Sequence, residues 1–500
     1  MLPGLLVDFW FVPIGALLML VVFIKINNKI VSRTSSPAVG KNDFWKSVIL
    51  FVCVAGLSIT GIRGGVQYVP IGIRNVRECV DSKYAAIVLN TPFSVISSFQ
   101  NERLEEEVYF DQETLKKYLN TTKNYSGRDF KKKNVVVIIL ESFSKEFTGI
   151  GGMKSYTPFL DSLMKQSLVC TNAFANGNRS ADGIPAILAG IPTLQEEPFT
   201  TNIYGANAIT SLANLLSKKG YSSAFYHGGS NGTMGFDLFA RNAGFQHFKG
   251  RNEYPVQSDY DGHWGIWDEP FLQYAVGDIS TTLKEPFIAS IFTLSSHQPY
   301  KVPEKYKGKF PKGDLEIHET IGYADYALAR FFASAKMQSW YNNTLFIVVA
   351  DHCSPLSNDD YYHYQQGRFA IPIVYFSPED TSLKGTNENI TQQIDILPSV
   401  MDYLDFTDSF FAFGNSIFSE AEHRYTVQHW NGEILWTMDD YFLHAWGQNP
   451  DGFYDAINDK LNKTNLLNSK DSLVKQHFNY LKSFRQSYND AMIHNKLKLK

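Results

Sequence analysis

Cysteine is scarce in this chain. Four occur in 500 residues, at positions 53, 79, 170 and 353. No two stand in a Cys-x-x-Cys arrangement, which argues against a thiolate zinc site or a disulfide framework. Cys353 lies beside Asp351-His352 and is read as a packing residue. A strong charge of either sign is also missing. The formal net charge is −4, so the chain lacks the basic excess a nucleic-acid partner requires. There is no internal repeat, and no Gly-Ser or Pro-rich linker sets the core apart from its tail. What remains is 44% hydrophobic and 14% aromatic, enough for a large core and for more than one domain.

Two uncharged apolar stretches stand at the amino-terminal end, Phe9 to Ile24 and Ser47 to Ile62. Both fall slightly short of the roughly 20 residues of a spanning helix. Between them lie Lys25, Lys29, Arg33, Lys41 and Lys46 against a single Asp43. This asymmetry predicts two transmembrane helices over residues 1–63 joined by a basic cytoplasmic loop. Both ends then face outward, and everything downstream lies outside the cytosol. So short an outward-facing amino terminus is unusual, and it points to a sequence shortened at that end, with further membrane helices missing from it. Residues 64–133 read as a juxtamembrane connector, with a helix expected over Asn101 to Lys117.

From residue 134 the pattern alternates strands and helices, the signature of an α/β sheet. Strands are predicted at 134–140, 168–172, 222–226, 287–294, 344–350 and 372–376, and helices at 157–166, 181–189, 208–219, 320–336 and 393–404. This core runs to about residue 420. A tail over 421–500 follows, with hairpin strands from Arg424 to Leu443 and a terminal helix from Asp471.

Two strands carry the chemistry. The run Asn134-Val-Val-Val-Ile-Ile-Leu140 is dense enough in β-branched residues to be buried on both faces, and it ends on Glu141. The run Thr344 to Ala350 ends on Asp351-His352. Ligands bind at the carboxyl ends of strands in open α/β sheets, and a buried carboxylate is costly unless paired or holding a cation. The two exits therefore predict one metal site assembled from distant segments. Ser180 follows a polar turn, Asn176-Gly177-Asn178, and opens an apolar helix. Free N–H groups at a helix start favour an anion such as a phosphoryl group, and a metal can deprotonate the hydroxyl. A plain helix cap is the competing explanation. Arg179 beside it can neutralise phosphate oxygens. His227 and His297 each follow a predicted strand and are candidates for binding substrate oxygens or protonating a leaving alkoxide. The segment Asp261 to Phe271, with two tryptophans and three acids, shapes a pocket or packs on the core. Asp395 reads as a helix-start residue.

Several of these segments together resemble the sulfatase-like branch of the alkaline phosphatase superfamily, and within it the lipoteichoic acid synthase and phosphoglycerol transferase family. The matching pieces are Leu140-Glu141-Ser142, Tyr156 to Asp161, Arg179-Ser180-Ala181-Asp182 with Leu188 to Pro192, His227-Gly228, Ser295 to Tyr300 and Ala350-Asp351-His352, over roughly 130–405. The tail from Gly452 to Leu466 also looks like the closing segment of sulfatase-like domains. The resemblance implies a sulfatase/alkaline-phosphatase-like central sheet flanked by helices, with a small carboxyl-terminal α+β subdomain. It implies one divalent ion held by Glu141, Ser180, Asp351 and His352, with the Ser180 hydroxyl as nucleophile and His227 and His297 at the substrate. Three departures stand out. The family nucleophile is commonly threonine. The tryptophan and arginine that gram-positive synthases carry after the first histidine are absent from Gly228 to Asp237. Ser180-Ala-Asp-Gly also lacks the Pro and Arg context of formylglycine sulfatases, which disfavours sulfate-ester hydrolysis.

The function implied is head-group transfer from a phospholipid donor to a glycan or lipid acceptor through a phospho-serine, at the outer face of a bacterial cell membrane. Three oxygens and one imidazole suit Mn2+ first, with Mg2+ and Zn2+ as alternatives. A hydrolase with the same metal and serine is the first alternative, a non-catalytic membrane-anchored binding protein the second.

Overall fold

The computed structural model describes residues 21–22, 24–26, 28–29, 41–63, 103–125, 127, 129–364 and 366–499. The chain divides into two compact units, Met1–Ile71 and Gly72–Lys500. Most of the first predicted membrane stretch, and all of the connector before residue 103, lie outside the described residues. The second stretch is a helix, α1 (Lys41–Arg63). Its window Phe44–Gly61 has mean hydropathy 1.7 and is long and apolar enough to cross a membrane. Trp45, Leu50, Phe51 and Leu57 are all exposed. The hydroxyl of Thr60 donates to the carbonyl of Gly56 at 2.9 Å, so this polar group is satisfied within the helix. At 1.5 Å per residue α1 is about 35 Å long, a match to the roughly 30 Å hydrocarbon layer.

The second unit is built on an eight-stranded mixed sheet. Its strands are β1 (Asn134–Leu140), β2 (Leu168–Cys170), β3 (Ser222–His227), β4 (His247–Lys249), β5 (Phe287–Phe292), β6 (Thr344–Ala350), β7 (Ile373–Phe376) and β8 (Gly385–Asn387). The spatial order is β8-β2-β7-β6-β1-β5-β3-β4. The five strands from β6 to β4 are mutually parallel, whereas β7 runs antiparallel to both its neighbours. β1 and β6 are buried along their whole length, as expected of central strands covered on both faces. Their register pairs Leu140 with Ala350, and β5 pairs Phe292 with both Ile139 of β1 and His227 of β3. Glu141, Asp351, the loop after Phe292, and His227 therefore emerge along one edge.

The helices that serve this edge are α2 (Ser180–Ala189), α3 (Asp268–Thr282), α4 (Ile317–Ala335) and α5 (Ile396–Tyr403). Every residue of α2 is buried, and it ends on Gly190 with φ 64°, the left-handed cap glycine supplies at least cost. Asp395 does act at a helix start, its carboxylate accepting the N–H of Gln392 at 2.9 Å. Cys353 is buried, its thiol donating to the Ala370 carbonyl at 3.0 Å.

The tail is an antiparallel four-stranded meander, β9 (Tyr425–Trp430), β10 (Glu433–Met438), β11 (Tyr441–Trp446) and β12 (Asn449–Asp455), followed by α6 (Asp471–Ile493). Val474, Phe478, Leu481, Phe484, Tyr488 and Met492 form the buried face of α6, at the spacing of an amphipathic helix. The helix expected over Asn101 to Lys117 is shorter: residues 103–111 are not helical, and only Gln112–Tyr118 is, capped by Asp111. The extended piece docks on α6. The amides of Tyr109 and Phe110 donate to Gln486 Oε1, and Asn489 donates to the Glu105 carbonyl. Tertiary hydrogen bonds there replace the helical ones.

Candidate active site

The parallel register sets the two strand-end acids side by side. Asp351 N–H donates to the Leu140 carbonyl at 3.1 Å. Glu141 N–H donates to Thr293 Oγ1 at 3.0 Å, and the Ser296 hydroxyl donates to the Glu141 carbonyl. Ser142 then turns the chain with φ 56°, a conformation costly for a side-chain-bearing residue and concentrated at functional sites. The turn brings Ser142 N–H onto Asp351 Oδ1 at 2.8 Å and Ser142 Oγ onto Glu141 Oε1 at 2.7 Å.

One donor atom from each of Glu141, Asp351 and His352 lies within 4.8 Å of the others, and all three residues are buried. His352 Nε2 is 3.5 Å from Glu141 Oε1 and 3.4 Å from Asp351 Oδ2. Its Nδ1 donates to the Cys353 carbonyl at 2.7 Å, which leaves the Nε2 lone pair facing the two acids, as in metal-ligating histidines. Asp351 Oδ2 is buried without a hydrogen-bond donor. Ser180, first residue of α2, points its hydroxyl at Glu141 Oε2 at 3.1 Å. A buried orphan carboxylate oxygen, a second carboxylate and an imidazole lone pair fit a divalent cation.

The electrostatics agree. Burial and the neighbouring Glu141 push the Asp351 carboxyl up to about 8. For Glu141 burial opposes ionisation, but His352, His297 and the hydrogen bond from Ser142 act together to hold the carboxyl below its ordinary range. His352 is raised, because Asp351 and Glu141 overcome its own burial. Two buried acids this close do not both ionise cheaply without a cation.

A network that sequence reading missed supports the cluster. Gln393 Nε2 donates to the carbonyls of Ala350 and Asp351, each at 2.7 Å, and its Oε1 accepts the N–H of Asn176 at 2.9 Å. One side chain thus ties the exit of β6 to the turn before Ser180. Asn176 also donates to the Val427 carbonyl at 2.9 Å, so β9 buttresses the same turn. The approach of α2 is close: a Cβ on Gly183 would sit 2.2 Å from the Asp351 carbonyl oxygen. Gly183→Ala is therefore expected to displace Asp351 and weaken metal affinity about 10–100-fold, the range for lost supporting partners, as titration of the metal-free protein would report.

Ser142, Asn178 and His352 line a cavity of about 430 Å³, together with His297, Arg368 and Trp430. His297 is half-buried, with Nδ1 3.1 Å from the Gln298 carbonyl. His227 ends β3, stacks on Phe292 and is buried with both ring nitrogens unpartnered. Burial lowers it to about 4, so it is neutral at physiological pH. Arg179 is turned onto Asp182, Nε to Oδ2 at 2.9 Å and Nη2 to Oδ1 at 3.2 Å, and also donates to the Glu196 carbonyl. Among the described residues, the fixed cation on the cavity wall is instead Arg368. Its guanidinium lies 4.1 Å from the ring centre of Trp430, and its Nη2 donates to the His363 carbonyl. No motif announced either residue; they come from a short turn and from β9.

This is the alkaline-phosphatase-like α/β fold. A protein of the alkaline phosphatase superfamily from Vibrio parahaemolyticus matches it with a TM-score of 0.66 at 24% identity, over 79% of this chain and 94% of that one. The lipoteichoic acid synthase LtaP from Listeria monocytogenes matches with a TM-score of 0.62 at 21% identity, over 77% and 98%. The chain matches the sulfatase family over residues 133–406 and belongs to that family. Among curated proteins it is 26% identical over 391 residues to lipoteichoic acid synthase 1 of Bacillus subtilis, and 25% identical over 396 residues to the lipoteichoic acid synthase of Staphylococcus aureus. Each alignment covers 71% of this chain, which spans 59% of the length of those relatives.

Proposed function

We propose that the protein is a membrane-anchored, metal-dependent phosphotransferase that moves a phospholipid head group to an extracytoplasmic glycan or lipid hydroxyl through a phospho-serine on Ser180. The observation that carries this reading is the Ser180 hydroxyl, 3.1 Å from a carboxylate of the Glu141–Asp351–His352 cluster at the start of a buried helix. Glu141, Ser180, Asp351 and His352 would hold the ion, Mn2+ before Mg2+ or Zn2+ on donor type. A bound ion supplies positive charge that acidifies the serine hydroxyl and offsets charge on the phosphoryl oxygens. Ser180 Oγ passes its proton to Glu141 Oε2, the acceptor it faces at 3.1 Å, and attacks phosphorus. The bond from phosphorus to the diacylglycerol oxygen breaks, and His297 protonates that oxygen. An acceptor hydroxyl then gives its proton to the now neutral His297 and attacks phosphorus, the bond from phosphorus to Ser180 Oγ breaks, and Oγ regains a proton. The names of the curated relatives support the transfer reading, and the apolar α1 supports an anchor that keeps the site at the outer face of a bacterial cell membrane.

Mass spectrometry of the full chain after incubation with phosphatidylglycerol or phosphatidylethanolamine tests the reading. A head-group phosphate increment on the Ser180 peptide is expected, and its size identifies the donor. Turnover with no adduct on Ser180 under rapid quench would reject the serine route, and release of free head-group phosphate with acceptor present would favour a hydrolase. Arg368 is the permanent cation facing the cavity, stacked on Trp430 and suited to bind substrate oxygens. Arg368→Ala is expected to raise KM about 10-fold or more, the cost of a lost charged hydrogen bond, with kcat changed less; steady-state kinetics on the donor lipid decides it.

A further inference from the structure

The segment from Asp261 to Asp268 is built as a bracket for the loop that carries His297. Asp261 Oδ1 accepts three consecutive amides, those of His263, Trp264 and Gly265, at 2.7, 2.8 and 3.1 Å. That fan of hydrogen bonds fixes the turn internally. The turn is seated on the end of β3: Ile266 N–H donates to the Gly228 carbonyl at 3.0 Å, and a Cβ on Gly265 would meet the same oxygen at 2.5 Å. At its far end the buried Asp268 Oδ1 accepts the amides of Leu294 and Ser295, at 2.7 and 3.1 Å. The loop after β5 is thus held from behind before it reaches His297.

Trp264 closes the bracket. Its indole lies against the His297 imidazole, ring centres 4.0 Å apart, and its Nε1 donates to the Gln298 carbonyl at 2.6 Å. That carbonyl is also the partner of His297 Nδ1. The indole therefore fixes both the plane of the imidazole and the oxygen that selects its tautomer. With Nδ1 engaged there, Nε2 is the nitrogen left for chemistry in the cavity that His297 lines. The two rings are tilted by 46°, so the indole packs against the side of the His297 ring.

We infer that Trp264 is a positioning residue that holds His297 in the orientation needed to protonate the leaving oxygen. The inference rests on the acid role proposed for His297. Restricting a catalytic group to its reactive geometry is worth orders of magnitude, and general-acid assistance contributes about 10²–10⁴-fold. That assistance matters for a poor leaving group such as a lipid alkoxide and little for p-nitrophenolate, which departs without a proton.

The test compares the full chain with Trp264→Ala, Trp264→Phe, His297→Ala and the double variant Trp264→Ala/His297→Ala, on phosphatidylglycerol micelles and on bis(p-nitrophenyl) phosphate. Trp264→Ala is expected to lower kcat on the phospholipid about 10–100-fold, part of the acid contribution, and far less on the nitrophenyl diester. Trp264→Phe, which keeps an aromatic face but not the Nε1 donor, is expected to fall between. The double variant is expected to be no worse than His297→Ala alone. Equal losses on both substrates, or additive losses in the double variant, overturn the positioning role. If His297→Ala itself shows no dependence on the leaving group, the acid assignment fails and this inference with it. If His297→Ala shows it and Trp264→Ala does not, the positioning role alone is overturned.

Discussion

Ser180→Ala is expected to abolish turnover while leaving the fold in place. Nucleophile knockouts of this kind cost about 10⁴–10⁶-fold in kcat, because no other hydroxyl on the cavity floor occupies the start of α2. The nearest substitute, Ser142 Oγ, donates to the other oxygen of Glu141 and sits in a strained turn. The structural cost is small. Ser180 gives one hydrogen bond to Glu141 Oε2, worth about 1 kcal/mol, and alanine fits a helix start. Ser180→Thr keeps the hydroxyl and is expected to retain measurable turnover, with a loss set by how the extra methyl packs in a fully buried helix. Steady-state assays on bis(p-nitrophenyl) phosphate, run beside thermal melts, separate chemistry from folding. Wild-type turnover in a folded Ser180→Ala protein would rule out the nucleophile and leave the metal cluster to activate water.

The donor cluster was legible in sequence because its logic is local. Strands buried on both faces read as unbroken β-branched runs, and an acid at the end of such a run stands out against its surroundings. What the sequence did not contain was the register that pairs Leu140 with Ala350, although parallel central strands make adjacency a natural guess. The edge strands β4 and β8 went unseen because three residues of mixed burial carry no periodicity. Gln393 was invisible for another reason. The stretch Gln392-Gln393-Ile394-Asp395 scans as an ordinary helix start, and it is one; the second role appears only when β6 packs beside it. Arg368 and Trp430 lie far apart in the chain and meet through the meander. Trp264 lies in a segment that reads in sequence as shaping a pocket or packing on the core. Its actual neighbour is a histidine from another loop, a pairing that no spacing rule predicts.

Removing the proposed ion is expected to lower stability, whereas removing the Asp351 carboxylate in the absence of that ion is expected to preserve or raise it, and this contrast tests the cluster most directly. In the metal-free protein Glu141 and Asp351 are both buried, and Asp351 Oδ2 has no donor. That arrangement costs free energy which a cation recovers. Mn2+ at 100 times its dissociation constant stabilises by about 2.7 kcal/mol, so EDTA is expected to lower Tm and added Mn2+ to restore it. Asp351→Asn changes both sides. The Asn oxygen can still accept the amides of Ser142 and His352, which lie 2.8 and 2.7 Å from Oδ1. Its NH2 then replaces the orphan oxygen, stays neutral at every pH beside the buried Glu141 carboxylate and offers that carboxylate a donor. With EDTA present the variant is therefore expected to melt at or above wild type. With Mn2+ present it is expected to shift little, to melt below wild type and to lack activity. Scanning fluorimetry of both proteins, with EDTA and with Mn2+, reads all four states. A variant that melts well below wild type in EDTA yet still gains the full shift from Mn2+ would place the ion elsewhere and reduce the Asp351 carboxylate to a structural acceptor for the turn at Ser142.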